Sequence, residues 1–299
     1  MSSKDKNQQE TNQKLVVKED EAPIATAPVG QPKPNTSYIG IDIGGTGIKG
    51  GLVDVKAGKL IGKRYRIDTP KPATPESVGD VVKQIVDHFL QDASGEAVIG
   101  ATFPAIIKHG VAKSAANVDK SWIDANVAQV LSEHTGHKVH VVNDADAAGV
   151  AEYYFGAGSK AYQRGVQMTI TLGTGIGSAV MLDGILLPNT ELGHLELDGH
   201  DAETRASAVV REKDELSFKK YAKKRLTPYF QHVEMLFSPD CFIVGGGISK
   251  RADDWLPYLQ ENVKTPILIA SLANNAGIVG AAALAKVYFD KAENKEDKF

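Results

Sequence analysis

The chain has 299 residues, of which 42% are hydrophobic and 24% charged, enough to form the cores of about two ordinary domains. Lysine and arginine (34) nearly balance aspartate and glutamate (37), and the formal charge of −3 excludes a broadly basic nucleic-acid-binding protein. Cys241 is the single cysteine, so intrachain disulfides and multi-cysteine zinc or iron–sulfur sites are excluded, and the reducing cytoplasm is the expected location.

Residues 1–37 are predicted to form a disordered tail, because they are polar, contain four prolines and cannot bury enough apolar surface to offset the entropy of ordering. The tail has no apolar run typical of a signal peptide, and no part of the chain has one typical of a membrane span, so no membrane association is expected. The tail also lacks a helix-turn-helix pattern, which argues against a DNA-binding repressor.

After the tail, the sequence predicts a strand, a glycine-rich turn and a second strand, and the same succession returns in the second half of the chain. This repetition predicts two similarly built α/β halves. The elements predicted in the first half are strands over 37–43, 48–55, 60–67, 97–103 and 139–142, and helices over 75–89 and 145–155. Those predicted in the second half are strands over 166–172, 178–181 and 241–244, and helices over 213–237 and 275–291.

The two turns, 44–47 and 173–177, are rich in glycine, which adopts positive φ readily and lets the backbone approach a ligand closely. Consecutive amides in such turns form an anion site, so two matched turns favour phosphate binding over plain hairpin turns. Asp42, just before the first turn, is suited to order a hydrated Mg²⁺ beside a phosphate. Thr46 offers a hydroxyl group and Lys49 a positive charge.

Asn143 and Asp144 lie where a predicted strand meets a predicted helix, the position at which open α/β sheets place catalytic groups. Asp144 there is a candidate general base and Asn143 a candidate ligand for a hydroxyl, whereas the alternative is an ordinary N-cap. The pair alone favours neither interpretation. Asp146, in the first turn of the helix, is interpreted as compensating the helix dipole.

A dense polar segment follows the second glycine turn and includes Glu191, His194 and Glu203. Carboxylates and an imidazole at this spacing favour polyol binding over a solvated loop, and both over a metal site. A second charged segment, on the predicted helix over 213–237, contains Lys219, Lys220, Lys223, Lys224 and Arg225. Such runs are usually solvated faces, but one that lines a groove would attract a polyanion in a salt-dependent way.

Several segments together resemble the ROK family, which contains sugar kinases and repressors within the actin-like ATPase superfamily. The similarity extends from Tyr38 to Ala285 and is greatest to the polyphosphate-using glucokinases and glucomannokinases of actinobacteria. The segments that carry it are 41–51 (IDIGGTGIKGG), 114–122 (SAANVDKSW), 143–152 (NDADAAGVAE), 171–178 (TLGTGIGS), 189–203 (NTELGHLELDGHDAE), 236–250 (LFSPDCFIVGGGISK) and 275–281 (NAGIVGA).

The resemblance implies an α/β protein with the two-domain ribonuclease H-like, actin-like fold and a central cleft. The first domain would comprise residues 38–142 with a returning helix at 275–291, and the second domain residues 143–274. Residues 292–299 would form a polar tail. The resemblance also implies a homodimer.

The resemblance further implies roles for individual residues. Asp144 is the expected catalytic base, and Asp42 is expected to hold Mg²⁺ through water. The expected sugar-binding residues are Asn143, Glu191, His194, Glu203 and Asn117. The expected phosphate-binding residues are Gly44, Gly45, Thr46, Lys49, Gly173, Thr174, Gly175 and Gly177. We expect a bound nucleotide to lie near Gly245, Gly246 and Gly247. We expect a polyphosphate chain to lie along Lys219, Lys220, Lys223 and Lys224.

Two positions depart from the family pattern. Most members carry a cysteine-rich zinc motif after the histidine that corresponds to His194, but residues 195–203 contain no cysteine, so no structural zinc is expected. Ala105 stands where the family usually has glycine, which bears on the backbone near Phe103 and Pro104.

The expected reaction is phosphoryl transfer from polyphosphate, and from ATP, to the 6-hydroxyl of glucose, with mannose as an alternative acceptor. The main rival interpretation is a glucokinase that uses ATP alone. A non-catalytic sugar sensor is the alternative from a different class. The presence of both glycine turns and of Asp144 argues against the sensor.

Overall fold

The computed structural model describes residues 32, 35–93, 95–160 and 164–296, so the predicted tail over 1–37 lies almost entirely outside the described residues. Two five-stranded sheets organise this part of the chain. The strands are β1 Thr36–Ile43, β2 Gly47–Asp54, β3 Lys59–Asp68, β4 Glu96–Phe103, β5 Ile107–Lys108, β6 Val111–Ala112, β7 Val139–Asn143, β8 Val166–Leu172, β9 Ile176–Leu182, β10 Ile185–Leu187, β11 Glu196–Leu197, β12 His200–Asp201, β13 Cys241–Gly245 and β14 Ile267–Ile269. The helices are α1 Pro75–Leu90, α2 Val127–Thr135, α3 Asp144–Phe155, α4 Glu203–Ala206, α5 Ala208–Lys213, α6 Phe218–Tyr221, α7 Thr227–Phe237, α8 Ala252–Gln260 and α9 Ala276–Glu296.

The first sheet has the strand order β3-β2-β1-β4-β7. β1, β2 and β3 form an antiparallel meander, whereas β1, β4 and β7 run parallel. The carboxyl ends of the parallel strands therefore meet at one edge of the sheet. Register pairs Asp42 with Thr102 and Phe103 with Asn143 at this edge, which brings the first glycine turn and the start of α3 together.

The C-terminal helix α9 packs against β1 and β4 of the first sheet. Glycines in both strands make this close packing possible. A Cβ atom at Gly40 would overlap the carbonyl of Ile278, and one at Gly100 would overlap the carbonyl of Ala281. The end of the chain thus returns to the sheet with which the described part begins.

The second sheet, β10-β9-β8-β13-β14, repeats the pattern of the first, with an antiparallel meander next to parallel strands. The predicted repeat of strand, glycine turn and strand is therefore confirmed. α3 packs on β9 and also contacts α9, so these two helices lie between the sheets. The core around α7 and α8 contains the fully buried rings of Tyr229, Phe230 and Trp255.

The predicted helix over 213–237 is wrong in its first part. The chain leaves the helical conformation after Lys213, because Glu215 has a φ of 50°, and helical structure resumes at Phe218. A π-helical turn, Ala222–Leu226, then precedes α7. Pro228 lies just beyond this turn and has no amide hydrogen to donate, which interrupts the α-helical ladder there.

Ordered structure extends into both predicted tails, since β1 begins at Thr36 and α9 continues to Glu296. Asn143 is the last residue of β7 in the first sheet, although the predicted domain division assigns it to the second domain. That division itself stays a prediction. Within the described ranges, no helix is both long and apolar enough to cross a membrane.

Candidate active site

The first glycine turn joins β1 to β2 at the edge where the parallel strands end. The amide of Gly44 donates to the carbonyl of Gly47 (3.2 Å) and closes the turn. The amides of Gly45 and Thr46 have no hydrogen-bond partner among the described residues and are available to an anion. Asn117 lies against the turn, because a Cβ atom at Gly45 would be 2.9 Å from the Asn117 Cβ.

Arg66 of β3 is a further cationic residue at this turn. Its Nη2 donates to the carbonyl of Thr46 (3.0 Å), and its guanidinium fills the space that a Cβ atom at Gly47 would need. Its Nη1 is paired with Asp68 (2.6 Å). Only the antiparallel register of β2 and β3 brings Arg66 to the turn, and no local sequence motif predicts that placement.

Asp42 and Lys49 face each other across β1 and β2. Their register pairs them, and the Lys49 Nζ lies 3.2 Å from the Asp42 Oδ2. The Thr102 hydroxyl donates to the other carboxylate oxygen (3.1 Å). Oxygen atoms of this kind are the ligands that Mg²⁺ prefers, so the residues present fit the predicted Mg²⁺ site.

The second glycine turn joins β8 to β9 and is closed by a hydrogen bond from the Gly173 amide to the Gly175 carbonyl (3.0 Å). The amides of Thr174 and Gly175 find no partner in the described part of the chain. Open space adjoins Gly173, whereas a Cβ atom at Gly177 would be 2.9 Å from the Ala145 Cβ. The second turn therefore lies directly beside the first turn of α3.

None of the glycines in 44–47 and 173–177 adopts the left-handed conformation. Beside the α-carbons of Gly47 and Gly175, the side chains of Arg66 and Glu203 fill the space that a Cβ atom would occupy. Gly246 differs, since its φ is 85° and a Cβ atom there would overlap the backbone of β8.

Asn143 is the N-cap of α3. Its Oδ1 accepts hydrogen bonds from the amides of Ala145 (2.8 Å) and Asp146 (3.1 Å), and its Nδ2 donates to the carbonyl of Ala105 (3.0 Å). The amide group retains a second hydrogen for a ligand hydroxyl, so capping and sugar binding are compatible. Ala105 has no left-handed φ, and alanine is therefore compatible with the backbone at this position.

Asp144 is accessible to solvent, yet protein atoms surround its carboxylate closely. This desolvation, together with the negative charges of Asp42 and Glu191, raises the pKa of Asp144 to about 6. The group is therefore ionised at neutral pH and basic enough to accept a proton from a reacting hydroxyl. Since β4 alone separates β1 from β7, the backbones at Asp42 and Asp144 are about 10 Å apart.

Asp146 is buried, with 2% of its surface exposed. Its Oδ2 accepts from the amide of Asn189 (2.8 Å), and the Asn189 side chain bonds both backbone groups of Ile107 (2.7 and 2.9 Å). Burial, and secondarily the charges of Asp144 and Glu191, raises the pKa of Asp146 to about 8. Burial therefore favours the protonated form of Asp146, which weakens the predicted compensation of the helix dipole.

Three of the predicted sugar-binding residues, Glu191, His194 and Glu203, come together beside the second glycine turn. The segment Leu192–His194 forms one 3₁₀ turn that packs on the start of β9. Burial raises the pKa of Glu191, and the Glu203 charge adds to this effect while His194 opposes it. The Glu203 Oε2 accepts from the amide of Ile176 (3.0 Å), so this carboxylate also belongs to the glycine turn.

The third glycine cluster, Gly245–Gly247, borders a small cavity of about 120 Å³. Lys250 and Ala276, the first residue of α9, lie on the same cavity. No atom lies near the α-carbon of Gly247 on the side where a Cβ would point. These features make the cavity the candidate position for the nucleotide that the sequence predicts.

The predicted polyphosphate path lies on α6 and the π-helical turn, with its lysines exposed to solvent; they are Lys219, Lys220, Lys223 and Lys224. The ammonium groups of Lys219 and Lys223 each lie 5.5 Å from the ring centroid of Tyr258. Lys223 is also paired with Glu261 (2.9 Å). Part of the positive charge is therefore already engaged with protein groups.

Residues 38–215 match the profile described as the ROK family, which accounts for more than half of the sequence. The chain belongs to the ROK family. Over 244 residues it is 48% identical to the polyphosphate glucokinase of Mycobacterium tuberculosis (strain CDC 1551 / Oshkosh), and the match covers 81% of this chain and 89% of that relative.

Two solved structures of ROK kinases resemble the fold. The inorganic polyphosphate/ATP-glucomannokinase from Arthrobacter sp. strain KM is 57% identical, with a TM-score of 0.79, and the match covers 85% of this chain and 100% of that one. A ROK family glucokinase from Streptomyces griseus, in complex with glucose and AMPPNP, is 25% identical, with a TM-score of 0.70 and coverages of 84% and 99%. The predicted two-domain, actin-like α/β fold class is thereby confirmed.

Proposed function

We propose that this ROK protein is a polyphosphate-dependent glucokinase that also accepts ATP and phosphorylates the 6-hydroxyl of glucose. The observation that carries the proposal is the position of Asp144. A carboxylate with a pKa of about 6 lies at the start of α3, next to a glycine turn and within the electrostatic influence of Asp42 and Glu191. This arrangement combines a base, phosphate-binding amides and polar groups for a sugar.

In the proposed reaction, Asp144 accepts the proton of the glucose 6-hydroxyl as that oxygen attacks the terminal phosphorus of the donor in line. The new bond joins this oxygen to phosphorus. The bond from phosphorus to the bridging oxygen breaks, and its electron pair leaves with the shortened polyphosphate or with ADP. Lys49 and the unpaired amides of both glycine turns stabilise the charge that spreads over the transferring group.

Asp42 would hold Mg²⁺ through water, and Thr102 and Lys49 fix the orientation of its carboxylate. When bound, the ion neutralises phosphate charge and orients the donor. The side chains of Arg66 and Lys49 supply further positive charge at the first glycine turn.

Glu191, His194 and Glu203 hold the hydroxyls of glucose in this proposal, with Asn143 and Asn117 as further sugar ligands. Each polar side chain fixes one hydroxyl, so together they determine which hydroxyl meets Asp144. Mannose differs from glucose in the orientation of one hydroxyl, and we propose it as a second, alternative acceptor.

The proposed donors rest on two observations. The relatives named above include a polyphosphate glucokinase and a polyphosphate/ATP-glucomannokinase. The cavity beside Gly245–Gly247 is the proposed location of the adenosine of a nucleotide. The lysines of α6 and the π-helical turn provide positive charge for a longer polyanion. Family resemblance further supports a homodimer as the working form.

One assay tests this proposal. The purified full-length chain is incubated with Mg²⁺, glucose and either polyphosphate or ATP as sole donor, and glucose 6-phosphate is measured, with mannose as a competing acceptor. We expect product with both donors. Product with ATP alone would favour an ATP-dependent glucokinase, and no product with either donor would overturn the assignment as a kinase.

A further inference from the structure

Asp201 is a partner of His194 that none of the predicted roles includes. The Oδ2 of Asp201 lies 2.7 Å from the Nδ1 of His194. Both side chains are partly exposed, at 38% and 56%. At this distance the pair forms a charge-assisted hydrogen bond in which the imidazole Nδ1–H donates to the carboxylate.

A short hairpin brings the two residues together. β11 and β12 pair antiparallel, with Leu197 opposite His200, and the connecting residues Asp198 and Gly199 have φ of 54° and 73°. Positive φ at both central positions is typical of a type I′ turn, which favours an Asp-Gly sequence. The hairpin folds the chain back so that Asp201 meets His194.

The second oxygen of Asp201 extends the contact to the glycine turn. The Asp201 Oδ1 accepts from the amide of Glu203 (3.2 Å), and the Glu203 Oε2 accepts from the amide of Ile176 (3.0 Å). Asp201 thus holds the backbone of Glu203, and the side chain of Glu203 holds the second glycine turn, so Glu203 links the His194–Asp201 pair to that turn.

We propose that Asp201 is a positioning residue for glucose binding, which orients the His194 ring and couples it to the second glycine turn through Glu203. The inference rests on the proposed function, since it assigns His194 to the sugar. Asp201 itself need not touch the sugar. By holding the proton on Nδ1, it leaves Nε2 as the ring nitrogen that faces a ligand hydroxyl.

Three carboxylates face His194, and they are Asp201, Glu203 and Glu191. The hydrogen bond with Asp201 is the largest of the influences that raise the pKa of His194, and partial burial opposes them. Replacement of Asp201 by a neutral residue is therefore expected to lower the pKa of His194. The ring proton would then no longer be held on Nδ1.

Asp201→Asn is the decisive variant, because its carbonyl oxygen can still accept from the Glu203 amide while its NH₂ group meets Nδ1. Isothermal titration with glucose, without any donor, measures the sugar site alone. We expect the Kd to rise about tenfold, the size expected for a lost hydrogen bond to a charged group. Asp201→Glu keeps the negative charge, so it should bind glucose more tightly than Asp201→Asn but less tightly than the wild type. Asp198→Asn removes one charge from the same hairpin without contacting His194 and should bind glucose as the wild type does.

Imidazole ¹⁵N NMR tests the same inference without substrate. A histidine signal with a protonated Nδ1 and a raised pKa is expected in the wild type, and both features should be lost in Asp201→Asn but kept in Asp198→Asn. An unchanged histidine titration together with unchanged glucose affinity would overturn the inference, even if the wild type phosphorylates glucose. A wild type with no glucose phosphorylation but with the expected NMR change would overturn the proposed function instead and leave the orientation of His194 by Asp201 supported.

His194, Asp201 and Glu203 also offer potential ligand atoms within 4.8 Å of one another. The glucose titration is therefore repeated after treatment with a chelator and after addition of Zn²⁺. Equal glucose affinity of the untreated, the chelator-treated and the Zn²⁺-supplemented protein supports the hydrogen-bonded arrangement. A loss of affinity on chelation that Zn²⁺ reverses would overturn it in favour of a metal.

Discussion

The carboxylate of Glu203 occupies the space beside the α-carbon of Gly175, and a methyl group at that position would overlap Glu203 Oε2. The same oxygen accepts the amide hydrogen of Ile176. A residue larger than glycine at position 175 would therefore have to displace the carboxylate of Glu203, which belongs to a different element, α4. This contact joins the proposed phosphate site to the proposed sugar site.

Gly175→Ala is expected to displace the Glu203 carboxylate and to break its hydrogen bond with the Ile176 amide, which should lower the free energy of unfolding by about 0.5–1.5 kcal/mol. Gly173→Ala is the matched control, since the space beside that glycine is open. Thermal unfolding of the two variants and the wild type measures the difference. Equal melting temperatures for Gly175→Ala and Gly173→Ala would contradict the steric argument.

Asp144→Ala is expected to lower kcat by about 10²–10⁴-fold, because the reacting hydroxyl would lose its general base. The fold should persist, since Asn143 and not Asp144 supplies the side-chain cap of α3. Steady-state kinetics gives kcat, and circular dichroism with glucose titration checks that the variant remains folded and binds sugar. Near-normal turnover in a folded variant would rule out the proposed base.

The pKa of Asp144 predicts the acidic limb of the pH profile. A base with a pKa of about 6 in the free enzyme is protonated and inactive below that pH, so kcat/KM should rise as the pH increases through 6. Glu191→Gln removes one of the negative charges that raise the pKa of Asp144. The acidic limb of the kcat/KM profile should therefore move to lower pH, even if the variant also changes the maximal kcat/KM. A limb that stays in place in Glu191→Gln would argue against this electrostatic coupling.

The raised pKa of Asp146 predicts that its contribution to stability falls as the pH rises, whereas that of an ordinary paired carboxylate rises with pH. Its pKa is raised from 3.8 to about 8 in the folded chain, so the protonated form is favoured on folding. Its contribution is present below pH 4 and is lost as the pH rises toward 8. Asp146→Asn keeps the shape without the titration. We expect the melting temperature of the wild type to fall more than that of Asp146→Asn between pH 5 and pH 8, and parallel curves would contradict this.

Local sequence patterns predict the meanders and the two glycine turns well, because strands and tight turns have short-range signals. The predicted strand over 60–67 corresponds to β3 and the predicted helix over 75–89 to α1, with no boundary shifted by more than one residue. The helix over 213–237 is predicted less well. Its break depends on the left-handed conformation of Glu215, which is rare for this residue type and carries no local signal.

Long-range contacts are the part of the site that the sequence does not reveal. Arg66 reaches the first turn only through strand register, and Asp201 reaches His194 only through the fold of a six-residue hairpin. The raised pKa of Asp146 depends on its burial, whereas its position in a first helical turn suggests an ordinary charged side chain. The Asp198-Gly199 dipeptide is a sequence signal for the hairpin itself, but it does not predict that Asp201 meets His194.

Four lysines on α6 and the π-helical turn give the donor proposal its sharpest test. Replacement of Lys219, Lys220, Lys223 and Lys224 by glutamine should raise the KM for polyphosphate roughly tenfold, if each exposed charge contributes a few tenths of a kcal/mol. The KM for ATP should change much less, and the salt dependence of polyphosphate use should weaken. A matched quadruple variant on the first half of the chain replaces Lys56, Lys59, Lys63 and Lys83, and it should retain the wild-type KM for both donors. Equal changes for polyphosphate and ATP in the first variant would remove these lysines from the donor path.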